Sequence, residues 1–361
     1  MTPKRKSIFD WKAVLGIALS VGLLWWAFKD ENFSEILHEL RQADPLLFVL
    51  AAAGATGVFW PRAWRWRTLL EPVAPGIPFR SRFAATTIGF MGNNLLPARI
   101  GEFARVYALS RMEKVSIVAG LGSLVVERLF DAVFVIGLLF IALGLPGVPD
   151  ISAVKGANLT AVANTLAVLI GIAFVLGALL VLFPERSVSF FEKRIARWLP
   201  QGIRRPLVDA LEAFLSGLGI LRSPKLLIVA LVQSAILWLF NAVGFWLGFK
   251  AFGIDVSFSG ALLLQSVIAL AVSVPSGPGF FGLFETGALV VLHQLYQIPK
   301  DKVLGFAIGF HLAGFIPVTL IGLFYAWRLG ISLKEVGKSE ETVEEAVEET
   351  LPPETKRTLE S

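Results

Sequence analysis

Arg99, Glu102 and Arg105 recur at three-residue intervals in GNNLLPARIGEFARVYALSR, residues 92–111. At that spacing on a helix, Glu102 can pair with either arginine. A guanidinium left free suits a phosphate, because its planar donors bind two oxygens at once. The plainer reading is a cytoplasmic turn with solvated charges, which fits Arg111 and Lys114. Asn93 and Asn94 offer donors and acceptors just upstream. A second charged group, Glu127, Arg128 and Asp131, lies in GSLVVERLFDAVFVIGLLF with apolar residues on both sides. Charges inside a membrane span are costly and usually face the bundle interior. Glu127 and Asp131 are i and i+4 and share a face. There they repel, and one takes up a proton unless an arginine lies between them. Arg128 does not sit squarely on that face, so Arg99 or Arg105 is the expected partner. A structural ion pair near the cytoplasmic end is the alternative. Glu285 is the only carboxylate of SVPSGPGFFGLFETGALVVLHQLY, and an isolated Glu in an apolar helix is a functional candidate by default. Ser276, at the break just before it, joins the candidate site residues. His293 and His311 read as hydrogen-bonded packing residues, with a proton relay as the lesser reading.

These groups sit in a greasy chain. It has 361 residues, is 55% hydrophobic and 17% charged, and its mean hydropathy is +0.69. Soluble domains carry roughly 25% charged residues. Several apolar runs reach the ~20 residues that cross a bilayer. The expected fold class is therefore all-α, a polytopic helical membrane protein. No cysteine is present, which excludes disulfides, thiolate metal sites and cysteine nucleophiles. His38, His293 and His311 are too scattered for a His-rich metal site, and neither metal nor cofactor is expected. The net charge of +5 does not indicate nucleic acid, because excess Lys and Arg in a membrane protein marks cytoplasmic loops. The basic N-terminus precedes an apolar run without a small-residue cleavage site, so it is expected to stay as a first helix.

Six spans are predicted at about 12–29, 45–64, 115–143, 160–183, 225–249 and 303–329. Two further segments, about 80–112 and 257–297, are apolar hairpins broken in the middle. Loops at 61–82, 99–114 and 186–225 are basic, which places them and both termini in the cytoplasm, provided each hairpin returns to the side it left. Residues 1–330 form the membrane domain, and 331–361 are expected to be an acidic, disordered cytoplasmic tail. The ten tryptophans, including those of WPRAWRW and LLWW, read as interfacial anchors. Arg62, Arg65 and Arg67 read as snorkelling or lipid-facing. Asn158 heads a short glycosylation-like pattern.

The broken segments resemble one another. Pro97-Ala-Arg-Ile-Gly101-Glu-Phe103 and Pro278-Gly-Phe-Phe-Gly282-Leu-Phe284 are both P-x3-G-x-F, offset by 278 − 97 = 181. Upstream, Pro45 and Pro224 align at an offset of 224 − 45 = 179, each behind a helix-capping Asp44 or Ser223. Amphipathic stretches precede both (Phe33, Ile36, Leu37, Leu40; Leu207, Leu211, Phe214, Leu215, Leu218). The unit occurs at 12–143 and 160–329, each with three crossings, so the second copy is inverted. Inverted repeats with broken helices characterise alternating-access transporters, with sites where the breaks meet. Pro97, Pro275 and Pro278 interrupt the helical ladder, while Gly92, Gly101, Gly277, Gly279 and Gly282 let backbones approach closely.

The ordered motifs NNLLPARIGEFARVYALSR, ERLFD and PSGPGFFGLFE resemble the lysylphosphatidylglycerol synthase transmembrane-domain family of flippase-like proteins, over about residues 10–330. The resemblance implies a membrane domain that moves lipids between leaflets. On its pattern Asn94, Pro97, Gly101, Glu102 and Arg105 match the first motif. Glu127, Arg128 and Asp131 match the second, and Pro275, Gly279, Gly282 and Glu285 the third. The large soluble aminoacyl-transferring domain of the synthases has no counterpart, so synthase activity is not implied. The expectation is a lipid transporter in the cell membrane, with anionic or phosphate-bearing membrane lipids as partners. A homo-oligomer or a separately encoded lipid-modifying enzyme could accompany it. The alternatives are a membrane glycosyl- or lipid-transferase using Glu102, Asp131 and Glu285 as acid/base groups, and a transporter of a small soluble anion.

Overall fold

The computed structural model describes residues 11–149 and 219–343, except Asp30, Ala98 and Pro275, together with Val168, Ser189 and Leu215. The described residues are helical, with no strand among them. In chain order the α-helices are α1 (Trp11–Phe28), α2 (Phe33–Gln42), α3 (Pro45–Gly57), α4 (Phe59–Leu70), α5 (Phe79–Leu95), α6 (Gly101–Glu113), α7 (Ile117–Gly144), α8 (Pro224–Ala251), α9 (Phe258–Ala271), α10 (Leu283–Ala288), α11 (Lys300–Arg328) and α12 (Leu333–Gly337). A π-helical stretch, Leu289–Leu295, continues α10. The chain from Pro45 to Leu70, and helices α8 and α11, are long and apolar enough to cross a membrane.

Local grammar fixes the helix starts. The Asp44 carboxylate accepts from Leu47 N at 2.9 Å, with Pro45 at the first helical position. Ser223 accepts from Leu226 N at 3.4 Å, with Pro224 in the same place. Proline is tolerated there because its missing N–H would have no intrahelical partner. In α2, Ile36 is buried while Phe33 and Leu37 stay exposed.

Both broken hairpins form. Helix α5 ends at Leu95 and α6 starts at Gly101. Helix α9 ends at Ala271, a 3-10 turn covers Pro278–Phe280, and α10 starts at Leu283. At 1.5 Å per residue, α5, α6 and α9 are ~25, ~20 and ~21 Å long, short of the ~30 Å hydrocarbon core. Packing requires glycine at the first break. A Cβ on Gly101 would land on the Gly89 carbonyl oxygen and 2.6 Å from Asn93 N. The second break needs backbone freedom as well: Gly279 and Gly282 have φ of 67° and 88°. It is held against α1, where Gly277 N donates to Ser20 Oγ at 3.0 Å.

Equivalent elements recur at near-constant offset: 224 − 45 = 179, 258 − 79 = 179, 283 − 101 = 182 and 300 − 117 = 183. Their packing is reciprocal. Helix α3 packs on α8, α5 packs on α11, and α9 packs on α7. Exchanging the two halves interchanges the α5–α11 and α9–α7 pairings and leaves α3–α8 as it is.

Some expectations need correction. The tail expected to be disordered from residue 331 is helical at Leu333–Gly337 and 339–343, with Val336, Ser339 and Val343 buried. It has apolar anchors that its acidic composition obscured, and the remainder lies outside the described residues. Trp66 and Trp238 are buried rather than interfacial, unlike the exposed Trp25, Trp60 and Trp327. The predicted span at 160–183, the tripeptide at Asn158, most of the basic segment 186–225 and the second amphipathic stretch lie outside the described residues, apart from an exposed, helical Val168 and a buried Leu215.

Candidate functional site

Helices α4, α6 and α7 bring six charged side chains together. Asp131 lies fourteen residues into α7, ~21 Å from its start. Glu127, one turn earlier, is fully buried. It accepts hydrogen bonds from Arg105 Nη1 of α6 at 2.8 Å and Arg128 Nη2 at 2.9 Å. From α4, Arg62 Nη1 and Arg65 Nη2 approach it at 3.6 and 3.7 Å. Asp131 lies 2.8 Å from Arg65 Nη1 and 3.4 Å from Arg62 Nη1. Arg65 Nη1 directs its hydrogen bond to Ser234 Oγ at 2.9 Å, so its contact with Asp131 is an ion pair without hydrogen-bond geometry. Arg128 also reaches Asp131, at 3.6 Å. Four guanidiniums therefore surround two carboxylates, for a formal charge of 4 − 2 = +2.

The excess is displayed to a cavity of about 510 Å³ lined by Arg62, Arg99, Glu102, Arg105, Arg128 and Asp131, among others. Arg105 is 3% exposed and its guanidinium stacks 3.8 Å from the Trp66 ring centroid. Nη1 is committed to Glu127, but Nε and Nη2 have no protein partner. Those two nitrogens form one edge of the guanidinium fork, the edge that binds a phosphate or carboxylate bidentately. Arg62 Nε and Arg128 Nε are also open. Burying a donor without a partner costs about 1–3 kcal/mol, more for a charged group, so a cluster of such donors implies an anion or water between them. Arg99 and Arg128, 27% and 37% exposed, stand towards the open end, and Arg65 and Arg105 close the interior.

Arg99 joins the two breaks. It pairs with Glu102 at 2.9 Å and donates to the Ser273 carbonyl at 3.0 Å, at the start of the second break. Its φ is 58°, a left-handed conformation that a non-glycine residue adopts only when its surroundings hold it. Asn93 accepts from Gly101 N at 2.9 Å, capping α6 across the break. Asn94 donates to Thr319 Oγ1 at 2.8 Å and ties the hairpin to α11.

A second cavity, about 240 Å³, adjoins the first and shares Arg62, Phe90, Trp238, Ala269, Val272 and Phe280 with it. His311 stands in its wall. Its Nδ1 lies 2.8 Å from Glu285 Oε1 and its Nε2 2.9 Å from the Gly279 carbonyl. Glu285 Oε2 accepts from Gly282 N at 2.6 Å, capping α10. A carbonyl only accepts, so Nε2 must carry a proton.

Arg99, Glu102, Arg105, Arg128 and Asp131 thus line one cavity as the sequence suggested, and Glu127 supports it from behind. Glu285 does not join them. It serves the second hairpin, behind His311, because its carboxylate is drawn to the free N–H at the start of α10. Ser276 is buried beside Gly277 and lines neither cavity. Arg128 does reach both carboxylates, because its long side chain bends back along α7. Arg62 and Arg65 are not lipid-facing. They are central ion-pair partners, and their i, i+3 spacing beside the i, i+4 carboxylates of α7 was a readable sign of it. His293 bonds the Ile298 carbonyl at 2.8 Å as a packing residue. Pro275 lies outside the described residues.

The profile of the lysylphosphatidylglycerol synthase TM region matches residues 13–322. The chain is 26% identical to a UPF0104 membrane protein of Methanothermobacter thermautotrophicus, over 86% of this chain and 91% of that one. It is 28% identical to glycosyltransferase AglD of Haloferax volcanii, over 80% of this chain but 50% of that one. The chain belongs to the lysylphosphatidylglycerol synthase TM-region family.

Proposed function

We propose that this family member carries a phosphate-bearing lipid between membrane leaflets, binding the phosphate on Arg105, Arg62 and Arg128. The observation that carries the reading is the buried, unpaired Nε/Nη2 edge of Arg105, a residue that lines a cavity beside a formal +2 cluster. A lipid phosphate fits it in charge and in geometry. The cavity lies where both helix breaks meet, which is where transporters built of inverted repeats hold their substrates. The near-constant offsets and reciprocal packing support two inverted halves. The basic loops support cytoplasmic termini in a cell membrane.

The second reading is a membrane transferase, suggested by the name of the AglD relative. That match covers half of AglD. Every carboxylate lining the two cavities, among the described residues, is already ion-paired to an arginine, which leaves a poor acid or base. The test is reconstitution into vesicles carrying a fluorescent phospholipid in both leaflets, with a membrane-impermeant quencher outside. Transport predicts loss of the inner-leaflet signal with the wild-type protein and its retention with Arg105→Ala. Equal protection with and without protein, for every phospholipid offered, refutes it.

A further inference from the structure

We propose that the second cavity is a headgroup subsite for an uncharged, hydroxyl-bearing group, such as a glycerol or an inositol, attached to the phosphate held next door. The inference rests on the phosphate reading of the first cavity. Two residues that line it carry buried N–H donors without a partner. Gln265 is 1% exposed and lines this cavity. Its Oε1 accepts from Asn241 Nδ2 at 3.1 Å, but its Nε2 has no partner. Trp238 is 7% exposed and lines both cavities, and its Nε1 is also unpartnered. Trp238 and Asn241 are i and i+3 on α8, and Gln265 faces them from α9, so the polar atoms converge from two helices. Swapping the two ends of the Gln265 amide would only exchange which of its groups is open. Buried polar groups are nearly always paired in a finished site. Two open groups beside an anion cavity call for a ligand that supplies oxygens.

The surroundings select against a cation. No Asp or Glu lines this cavity. Glu285, bonded to the lining residue His311, is also engaged by Gly282 N. Phenylalanines 59, 90, 245 and 284 form much of the wall and could attract an ammonium through their faces. The Arg62 guanidinium already lies over Phe90 at 5.2 Å, however, and repels a second cation. What remains is apolar wall for C–H faces and N–H donors for hydroxyl oxygens. The shared lining residues, Arg62 among them, put this space next to the proposed phosphate donors.

Binding of water-soluble dioctanoyl lipids to the purified full-length protein, measured by native mass spectrometry, separates this inference from the transport reading. Dioctanoyl phosphatidylinositol and phosphatidylglycerol should bind more tightly than phosphatidic acid, and phosphatidylcholine less tightly. Gln265→Leu should weaken the inositol and glycerol lipids by about three- to tenfold, the loss of one hydrogen bond to an uncharged group, and leave phosphatidic acid unchanged. Gln265→Glu should shift preference towards phosphatidylcholine, and both variants should keep the wild-type melting temperature in detergent to within a few degrees. Equal affinity for all headgroups, a preference for choline, or no change with Gln265→Leu would overturn the subsite while leaving the phosphate site standing. Loss of phosphatidic acid binding with Arg105→Ala marks the phosphate site, and its retention counts against that site instead.

Discussion

Arg105→Ala separates binding from folding at this site. In the fold, Arg105 gives Nη1 to Glu127 and leaves Nε and Nη2 for a ligand. Removing the side chain leaves Glu127 in contact with Arg62, Arg65 and Arg128 at 3.6, 3.7 and 2.9 Å. The buried carboxylate therefore keeps three cationic neighbours. The 3–5 kcal/mol that breaking an isolated buried pair costs is not expected. The loss should be nearer about 1–2 kcal/mol, for one hydrogen bond and the packing against Trp66. The ligand loses more. A hydrogen bond to a charged group contributes about 1.5–3 kcal/mol, or roughly ten- to 150-fold in affinity. Arg105→Lys restores the charge but not the two-donor edge, so it should recover part of that. Dioctanoyl phosphatidic acid titrated into the detergent-solubilised protein, beside a melting curve, reads both quantities. Unchanged affinity in the alanine variant would refute the argument, as would full rescue by lysine.

Glu127→Leu should be far worse for stability than Arg105→Ala. It leaves four guanidiniums facing one carboxylate, and a cost of about 3–5 kcal/mol should appear as poor expression and a lowered melting temperature. Gly101→Ala should splay the first hairpin, because its Cβ meets the Gly89 carbonyl oxygen; faster hydrogen exchange in residues 86–105 would reveal it. Glu335 is held below the ordinary carboxylate range by hydrogen bonds from Ser332 N and Oγ. Its capping contribution is present above the unfolded value and lost as pH falls through the folded one, so α12 should exchange faster under acid conditions and less so in Glu335→Gln. For topology, single cysteines at residues 190 and 300 should react with an impermeant reagent from opposite sides, and labelling from the same side would remove the inverted-repeat reading.

The fold was largely legible because helices and breaks are written locally. Asp44-Pro45 and Ser223-Pro224 start helices by side-chain capping, which needs no tertiary information. Pro97 and Pro278 mark the breaks by a local rule, the missing N–H, and Gly101 and Gly282 stand where the next helix begins. The site was half legible. Arg99, Glu102 and Arg105 stood out as charges beside a break, and Glu127 and Asp131 as charges inside a span. Arg62 and Arg65 were hidden among Trp60, Trp64 and Trp66, a composition shared with interfacial helices. Only the third dimension shows α4 laid across α7, with Trp60 out and Trp66 in. Glu285 failed for a related reason. An isolated carboxylate in an apolar run signals burial and demand, but not which demand. Here the demand is the Gly282 N–H and His311, which is 26 residues distant in sequence.

The way the two breaks meet bears on the proposed transport. Each hairpin end is stabilised by its own chemistry, Asn93 capping α6 and Glu285 capping α10. Neither end depends on the other hairpin for its cap. The direct polar link described between them is Arg99 to the Ser273 carbonyl, made by a residue held in a left-handed conformation and 27% exposed. Arg99 also stays paired to Glu102, so losing that link leaves its charge compensated. The link can therefore break without leaving a bare ion, while the Arg105–Glu127–Arg65 cluster behind it cannot. The proposed transport would use that division: a rigid charged wall for the phosphate, and a weaker contact at the mouth that can break and reform.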